Sequence, residues 1–334
     1  MSSARRHWLT PLAAGLLALA PLAAYGQEVL VLGGFYTNPP VSGEDDHSYA
    51  YAYAYQQNLT EHWYASYTYL NEGHITGHHR DGHSAQLWWR YLALNRTLAL
   101  SLGVGPYLYF DTTRPQPESN HVNKHGVGVL ASAAATWYVG GPWMLQARFN
   151  RTWQTSGYAS NTLLLGVGYQ LDRGQLPGPA TAPPRRVKDA TPNELTAFLG
   201  EAIINDFDSD MVFAGALEYR RQLWRYVEGT ASYLDEGSAP SVRRRGVAAQ
   251  AWVSGVFLGD RLTLGFGAGP YYATRLHISG AGADPSPSRW AGLITLSTSY
   301  RLGEHWLARL SWNRTLTGYN RDTDMLLAGL GYRF

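Results

Sequence analysis

The sequence predicts an all-β fold, an antiparallel up-and-down β-barrel that crosses a membrane. Three observations point to it. Apolar residues alternate with a period of two along most of the chain, which is the strand signal. The connections between these segments are alternately short and long. The composition is rich in aromatics and glycine, with 12 Trp, 23 Tyr and 36 Gly among 334 residues but only 16% charged residues. Mean hydropathy is −0.26, and past the N-terminal segment no apolar run approaches the roughly 18–20 residues of a spanning helix, so a helical membrane bundle is excluded. The absence of cysteine removes disulfide frameworks, thiolate metal sites and cysteine nucleophiles.

The first 26 residues read as a secretory signal peptide. Arg5 and Arg6 precede an apolar stretch from Leu9 to Ala24, and Ala24-Tyr25-Gly26 places small residues at −3 and −1 of a cut before Gln27. Of 27 basic and 25 acidic residues, Arg5 and Arg6 leave with the signal, so the mature chain is balanced. Nothing in that charge points to nucleic acid.

A unit is then written twice. Tyr69-Leu70-Asn71-Glu72-Gly73 recurs as Tyr233-Leu234-Asp235-Glu236-Gly237, and Gly105-Pro106-Tyr107 as Gly269-Pro270-Tyr271. Asn150-Arg151-Thr152 recurs as Asn313-Arg314-Thr315, and Gly168-Tyr169 as Gly331-Tyr332, all at an offset of 163–164 residues. The copies span 27–172 and 196–334. Between them residues 173–195, with Pro177, Pro179, Pro183, Pro184 and Pro192, have the composition of an exposed periplasmic linker.

Each copy carries about eight alternating segments of roughly 9–11 residues, the length of a tilted membrane strand. Leu100, Leu102, Val104, Pro106 and Leu108 share one face, and Ser101, Gly103, Gly105 and Tyr107 the other. Leu163, Leu165 and Val167 alternate in the same way with Thr162, Leu164, Gly166 and Gly168. Short connections at Gln57–Glu61, Asn95-Arg96, Gly140–Pro142, Gly259-Asp260 and Gly303–His305 oppose long ones at Asn38–Asp46, Asn71–Gly82, Asp111–Lys124 and Thr155–Ser160. Short periplasmic turns opposite longer external loops are the pattern of a membrane barrel. Gly105-Pro106 and Gly269-Pro270 sit badly in a ladder and predict a bulge or kink at one height in both copies.

The last residues, Gly329-Leu330-Gly331-Tyr332-Arg333-Phe334, resemble the C-terminal signal of Gram-negative outer-membrane β-barrel proteins, and Gly166 to Leu171 echo them. The resemblance implies the outer membrane of a Gram-negative bacterium, with outer-membrane lipid and lipopolysaccharide as surroundings and the barrel assembly machinery as a partner in biogenesis. It names no functional family.

One barrel of sixteen strands and two tandem barrels of eight read alike along the chain. Inward positions hold small residues, among them Ala50, Ala52, Ala54, Gly103, Ala214 and Gly267, too small to fill a closed eight-stranded interior, with Gln86, Trp88 and Tyr107 restoring part of the volume. The linker pulls the other way, since strands of one barrel need only a short turn. Volume therefore favours one 16-stranded barrel made of two 8-strand repeats, with two 8-stranded barrels as the alternative.

For function, the sequence predicts a channel passing a polar solute by diffusion, porin-like or exporting a surface glycan with a separate periplasmic partner. Arg90, Arg148, Arg220, Arg301, Arg309 and Arg333 fall on the predicted lumenal face against Glu201, Glu218 and Glu228, an excess that suits anions. The same arginines would serve equally to brace the wall through carboxylates.

The loop Glu72–His83 gathers His74, His78, His79, Asp81 and His83, residue types that suit Zn²⁺ or another divalent transition metal, although no fixed-spacing motif is present. A hydrated polar loop is the plainer alternative. The second copy keeps Glu236, Arg245, Gly246 and Gln250 but no histidine, and carries Arg243-Arg244-Arg245, suited to surface phosphates. Some small outer-membrane barrels are lipid A-modifying hydrolases, and His83-Ser84 with Glu72 offers the residue types for that chemistry. Adjacent strand residues point to opposite faces, however, so His83 is badly placed to activate Ser84.

Overall fold

The computed structural model describes residues 25–37, 47–75, 78–113, 121–154, 159–171, 176–180, 193–206, 210–224, 227–258, 261–279 and 286–334. The signal-peptide segment through residue 24 and most of the interdomain linker lie outside the described residues. Among those described, the chain forms sixteen strands.

The first eight are β1 (Tyr25–Thr37), β2 (His47–Asn58), β3 (Trp63–Ile75), β4 (His78–Ala93), β5 (Leu98–Thr113), β6 (Val122–Gly140), β7 (Trp143–Gln154) and β8 (Ser160–Gln170). The second eight are β9 (Asn193–Ile204), β10 (Met211–Trp224), β11 (Val227–Ser238), β12 (Val242–Phe257), β13 (Leu262–Ile278), β14 (Trp290–Arg301), β15 (Trp306–Leu316) and β16 (Thr323–Arg333).

All paired strands are antiparallel and, apart from the pair that closes each barrel, consecutive, so the up-and-down class read from alternation is the fold observed. Closure differs from the preferred reading. β8 returns to β1 from Glu28↔Gln170 to Thr37↔Asn161, and β16 returns to β9 from Thr323↔Ile204 to Arg333↔Glu194. The chain is two closed eight-stranded barrels, not one of sixteen strands.

The volume argument failed for a physical reason. Small inward residues do not leave space; they make room for large ones reaching across from neighbouring strands. A Cβ on Gly103 would lie 2.2 Å from the Trp88 indole, and one on Gly267 2.3 Å from that of Trp252. Both tryptophans are fully buried and point inward. Small and large residues tile each interior, and eight strands are enough to close around them.

The outer walls are apolar. In the first barrel Leu102 is 62% and Leu165 65% exposed, and in the second Leu199, Leu310 and Leu326 project in the same way. Aromatic residues bound these bands. Trp143 stacks edge-on with Tyr169 at 5.0 Å at the short-turn end of the first barrel, and Trp306 with Tyr332 at 5.1 Å at that of the second. At the long-loop end of the second barrel Tyr272 and Trp290 meet at 4.9 Å.

Gly105-Pro106 and Gly269-Pro270 produce an interruption rather than a bulge. Pairing of β4 with β5 lapses between Ser84↔Tyr107 and Leu87↔Val104 and resumes in unchanged register. The pairing of β12 with β13 lapses likewise between Ala248↔Tyr271 and Ala251↔Ala268. Proline has no N–H to give the ladder, so the pairing lapses at matching positions in both barrels.

Candidate functional site: the polar interiors

Each barrel holds a column of polar side chains, beginning near the long-loop end with a buried ion pair. In Asn71-Glu72-Gly73 and Asp235-Glu236-Gly237 the glycines take φ +74° and +78°, where pairing with the next strand shifts register. Asn71 Oδ1 accepts from the Gly73 N–H at 2.8 Å, and Asp235 Oδ1 from the Gly237 N–H at 3.1 Å. The motif is thus a side-chain-braced irregularity that only glycine accommodates without strain. Its middle residue, the glutamate, is buried within the barrel.

Glu72 pairs there with Arg80 and also accepts from Ser160 Oγ. Glu236 accepts from Arg244 Nε at 2.8 Å and Nη2 at 2.5 Å, from Thr323 Oγ1 at 2.5 Å and from Thr315 Oγ1 at 3.2 Å. Arg244 Nη1 also donates to Tyr319 Oη at 2.8 Å. The arginine that answers Arg80 is therefore Arg244. Arg245, placed there by the sequence reading, points out and pairs with Asp235 at 2.9 Å.

Below the ion pair lies an amide–hydroxyl belt, again present twice. Gln86 Nε2 donates to Ser132 Oγ at 3.0 Å, Ser132 Oγ to Asn150 Oδ1 at 2.7 Å, and Asn150 Nδ2 to Thr162 Oγ1 at 2.8 Å. In the second barrel Gln250 Nε2 donates to Thr295 Oγ1 at 3.0 Å, and Thr295 Oγ1 to Asn313 Oδ1 at 2.9 Å. Beneath the belts Trp88 Nε1 donates to Ser66 Oγ at 2.8 Å and Trp252 Nε1 to Thr230 Oγ1 at 2.9 Å.

The barrels part company toward the short-turn end, where the arginines singled out from the sequence lie. Arg90 is held by neutral oxygens, Asn58 Oδ1 at 2.7 Å and the carbonyls of Thr60 and Glu61 at 3.1 and 2.7 Å. Arg148 donates to Gln146 Oε1 at 2.9 Å, and its guanidinium lies 5.1 Å over Trp88. In the second barrel Arg220 pairs with Glu218 at 3.0 Å and Glu228 at 2.6 Å, and lies 3.8 Å over Trp252. Arg309 pairs with Glu194 at 2.5 Å. Arg301 and Arg333 are half-buried at the ends of β14 and β16. Glu201, counted among the lumenal carboxylates, is instead exposed on the outer face, because β9 turns Glu194, Thr196, Phe198 and Ala202 inward.

Part of the segment read as an exposed linker is docked. Residues 178–180 are buried against the short-turn end of the first barrel. The Gly178 carbonyl accepts from Gln170 Nε2 at 2.9 Å and the Pro177 carbonyl from Arg96 Nε at 3.1 Å. The Ala180 carbonyl accepts from Asn58 Nδ2 at 3.4 Å.

The histidine segment is mostly strand. His74↔His79 and Ile75↔His78 pair across β3 and β4, which shortens the predicted loop. The side chains of His74 and His78 lie outside the described residues. By alternation with the inward Arg80 and Ser84, His79, Asp81 and His83 fall on the opposite face of β4, where Asp81 and His83 are buried. His83 Nδ1 lies 2.7 Å from Tyr67 Oη, and Tyr69 Oη donates to Asp81 at 3.0 Å. Among the described residues no group of three or more His, Asp or Glu side chains is arranged to hold a metal. Ser84 points inward and donates to the Pro106 carbonyl at 2.9 Å, on the opposite face from His83.

Polar groups inside and an apolar, aromatic-bounded wall outside invert the order of a soluble barrel and define a membrane-spanning β-barrel. No protein-family model matches the sequence, and no curated protein does either. Among solved structures the chain is similar to the N-terminal β-barrel domain of Pseudomonas aeruginosa OprF, at 12% identity and TM-score 0.35, over 44% of this chain and 98% of that one. It is similar to Neisserial surface protein A at 12% identity and TM-score 0.36, over 44% of this chain and 97% of that one. It is also similar to the Pseudomonas putida toluene transporter TodX at 12% identity and TM-score 0.24, over 95% of this chain and 90% of that one. At such values the likeness carries nothing about activity.

Proposed function

We propose that the chain is an outer-membrane channel of a Gram-negative bacterium in which each barrel passes water and small polar solutes through a narrow polar interior. The polar filling of both barrels is the observation that carries this reading. Beside apolar residues such as Leu30, Leu164 and Met144 in the first barrel and Phe198 and Leu327 in the second, both interiors hold ion pairs, amides and hydroxyls, the groups a path for water needs. Gln86 Oε1, Tyr107 Oη, Arg309 Nε and Asn313 Nδ2 are buried without a protein partner among the described residues, and such groups call for water.

Calibre limits the solute. Eight strands leave an interior that side chains fill, and Trp88 and Trp252 occupy the middle. An interior of that calibre suits small solutes better than a glycan chain. Anion preference belongs to the first barrel, where, among the described residues, Arg90 and Arg148 stand with one buried carboxylate at that end, Glu28, beside Arg90. In the second, Glu194, Glu218 and Glu228 offset Arg220 and Arg309. The docked segment Leu176–Ala180 narrows the short-turn mouth of the first barrel.

The test is conductance of the full chain in planar bilayers. Small steps are expected, larger when residues 176–180 are replaced by Gly and Ser at equal length, and larger again when Trp88→Ala is added. Silence in all three proteins would sink the pore reading.

A further inference from the structure

On the outer wall of the second barrel, just below the long-loop end, the register of β12 and β13 assembles a basic block. Arg243 stands directly opposite His277, and Arg245 directly opposite Arg275. Arg243, Arg275 and His277 are exposed, and Arg245 is partly so. Arg289 flanks them, its Nη1 donating to the Thr274 carbonyl at 2.9 Å. Against these four guanidiniums, the carboxylate paired within the block among the described residues is Asp235, on Arg245 at 2.9 Å.

Two further facts make the block more than a polar edge. Like charges directly opposite on adjacent strands destabilise a sheet, and Arg245↔Arg275 is such a pair. Asp235 offsets the charge on the Arg245 side, and a bound anion would offset it on the Arg275 side. The first barrel does not share the block: where the second has Arg243 and Arg245, the first has His79 and Asp81 at the matching wall positions. The shared scaffold therefore does not require arginine there.

Immediately below lies the apolar wall. Tyr272 and Trp290 meet at 4.9 Å beneath the arginines, and Val247 projects outward on β12. Cationic groups above an aromatic girdle above an aliphatic wall match an amphiphile in the same vertical order: anionic head, interfacial region, acyl chains. Planar guanidiniums hold phosphate oxygens in bidentate fashion.

We propose that this face is a binding site for a phosphorylated glycolipid of the outer leaflet, its phosphate held by Arg243, Arg275 and Arg245, with Arg289 and His277 at the margin, and its acyl chains lying on the wall below Tyr272 and Trp290. The inference rests on the membrane placement of the barrel but not on conduction.

The experiment uses the full chain in phosphatidylcholine nanodiscs carrying bisphosphorylated lipid A, its monophosphorylated form or neither, with bound lipid read by native mass spectrometry. Wild-type protein should retain the bisphosphorylated form preferentially and lose it as salt rises. Arg243→Gln with Arg275→Gln should weaken retention about thirty-fold, the weight of two basic residues at an anionic surface. Arg243→Lys with Arg275→Lys should fall between. Inorganic phosphate should not displace the lipid.

Equal retention by wild type and the glutamine variant, or retention by wild type indifferent to both salt and phosphorylation, would overturn the proposal. Displacement by inorganic phosphate would make this a free-anion site and overturn the lipid assignment. The salt and phosphorylation arms need only wild-type protein, so a variant that fails to fold leaves the proposal falsifiable. Conductance of the same preparation reports on the interior: lost conduction with lipid retention intact would count against the channel alone.

Discussion

Glu236→Gln tests whether the inner ion pair holds the second barrel together. Glu236 accepts four hydrogen bonds, from Arg244 Nε at 2.8 Å, Arg244 Nη2 at 2.5 Å, Thr323 Oγ1 at 2.5 Å and Thr315 Oγ1 at 3.2 Å. The Arg244 side chain is fully buried and that of Glu236 nearly so, so water does not screen the pair. Glutamine keeps the shape, removes the charge and turns an amide N–H₂ toward groups that are themselves donors. Arg244 is then left charged and buried, a loss of about 3–5 kcal/mol.

Replacing both partners, Glu236→Met with Arg244→Met, removes the buried charge altogether. It leaves the hydroxyls of Thr315, Tyr319 and Thr323 short of a partner, at about 1 kcal/mol each. The single substitution should therefore be more damaging than the double. The assay is urea-dependent unfolding of the full chain in lipid vesicles, with pulse proteolysis and peptide mapping to assign the loss to β9–β16. A single variant as stable as wild type, or no worse than the double, would refute the reasoning.

Three further outcomes follow from packing, wall polarity and closure. Gly103→Ala should destabilise the first barrel by about 1–3 kcal/mol through overpacking against Trp88, whereas Gly33→Ala, with no heavy atom within 4 Å of the added Cβ, should be near neutral in the same unfolding assay. Leu165→Arg, on a wall position 65% exposed near the middle of β8, should cost about 2–4 kcal/mol, read as reduced refolding into vesicles; unimpaired refolding would mean that face does not meet lipid. Because β8 closes on β1, residues 25–185 expressed alone should refold into vesicles as a heat-modifiable barrel, and failure to do so would mean the halves depend on each other.

What was legible in the sequence was whatever has a local period or a local repeat. Strand alternation, the direction of Leu100, Leu102 and Val104, and the duplication were all readable, because period-two patterning is written residue by residue. Closure was not, because it depends on who meets across the barrel. Trp88 was readable as an inward residue that restores volume, but not that it lies over Gly103 from the adjacent strand and takes up the space the glycine leaves. The interior site was half legible. Glu72-Gly73 and Glu236-Gly237 recur in plain sight, but the glutamate's role depends on an irregularity at the glycine that only the pairing register reveals. The same blindness put Arg245 where Arg244 belongs: neighbours on a strand face opposite ways, and one residue of error exchanges inside for outside.

The two copies then serve as an internal comparison of what the fold needs against what each barrel adds. Glu72 with Arg80, Gln86, Trp88 and Tyr107 recur as Glu236 with Arg244, Gln250, Trp252 and Tyr271, and all of these are buried. Each is tied into a hydrogen-bonded or tightly packed interior, where replacing one partner strands another. On the outer wall the bonds of Asp81 with Tyr69 and of Arg245 with Asp235 join neighbouring wall side chains rather than interior ones. His79 and Asp81 differ from Arg243 and Arg245 while the interior residues behind them recur. The short-turn ends differ as well among the described residues, with neutral oxygens bonded to Arg90 and one nearby carboxylate, Glu28, in one barrel, and three carboxylates around Arg220 and Arg309 in the other. Specific chemistry should thus be sought where the copies diverge, at one outer rim and in two inner floors, rather than in the polar column they share.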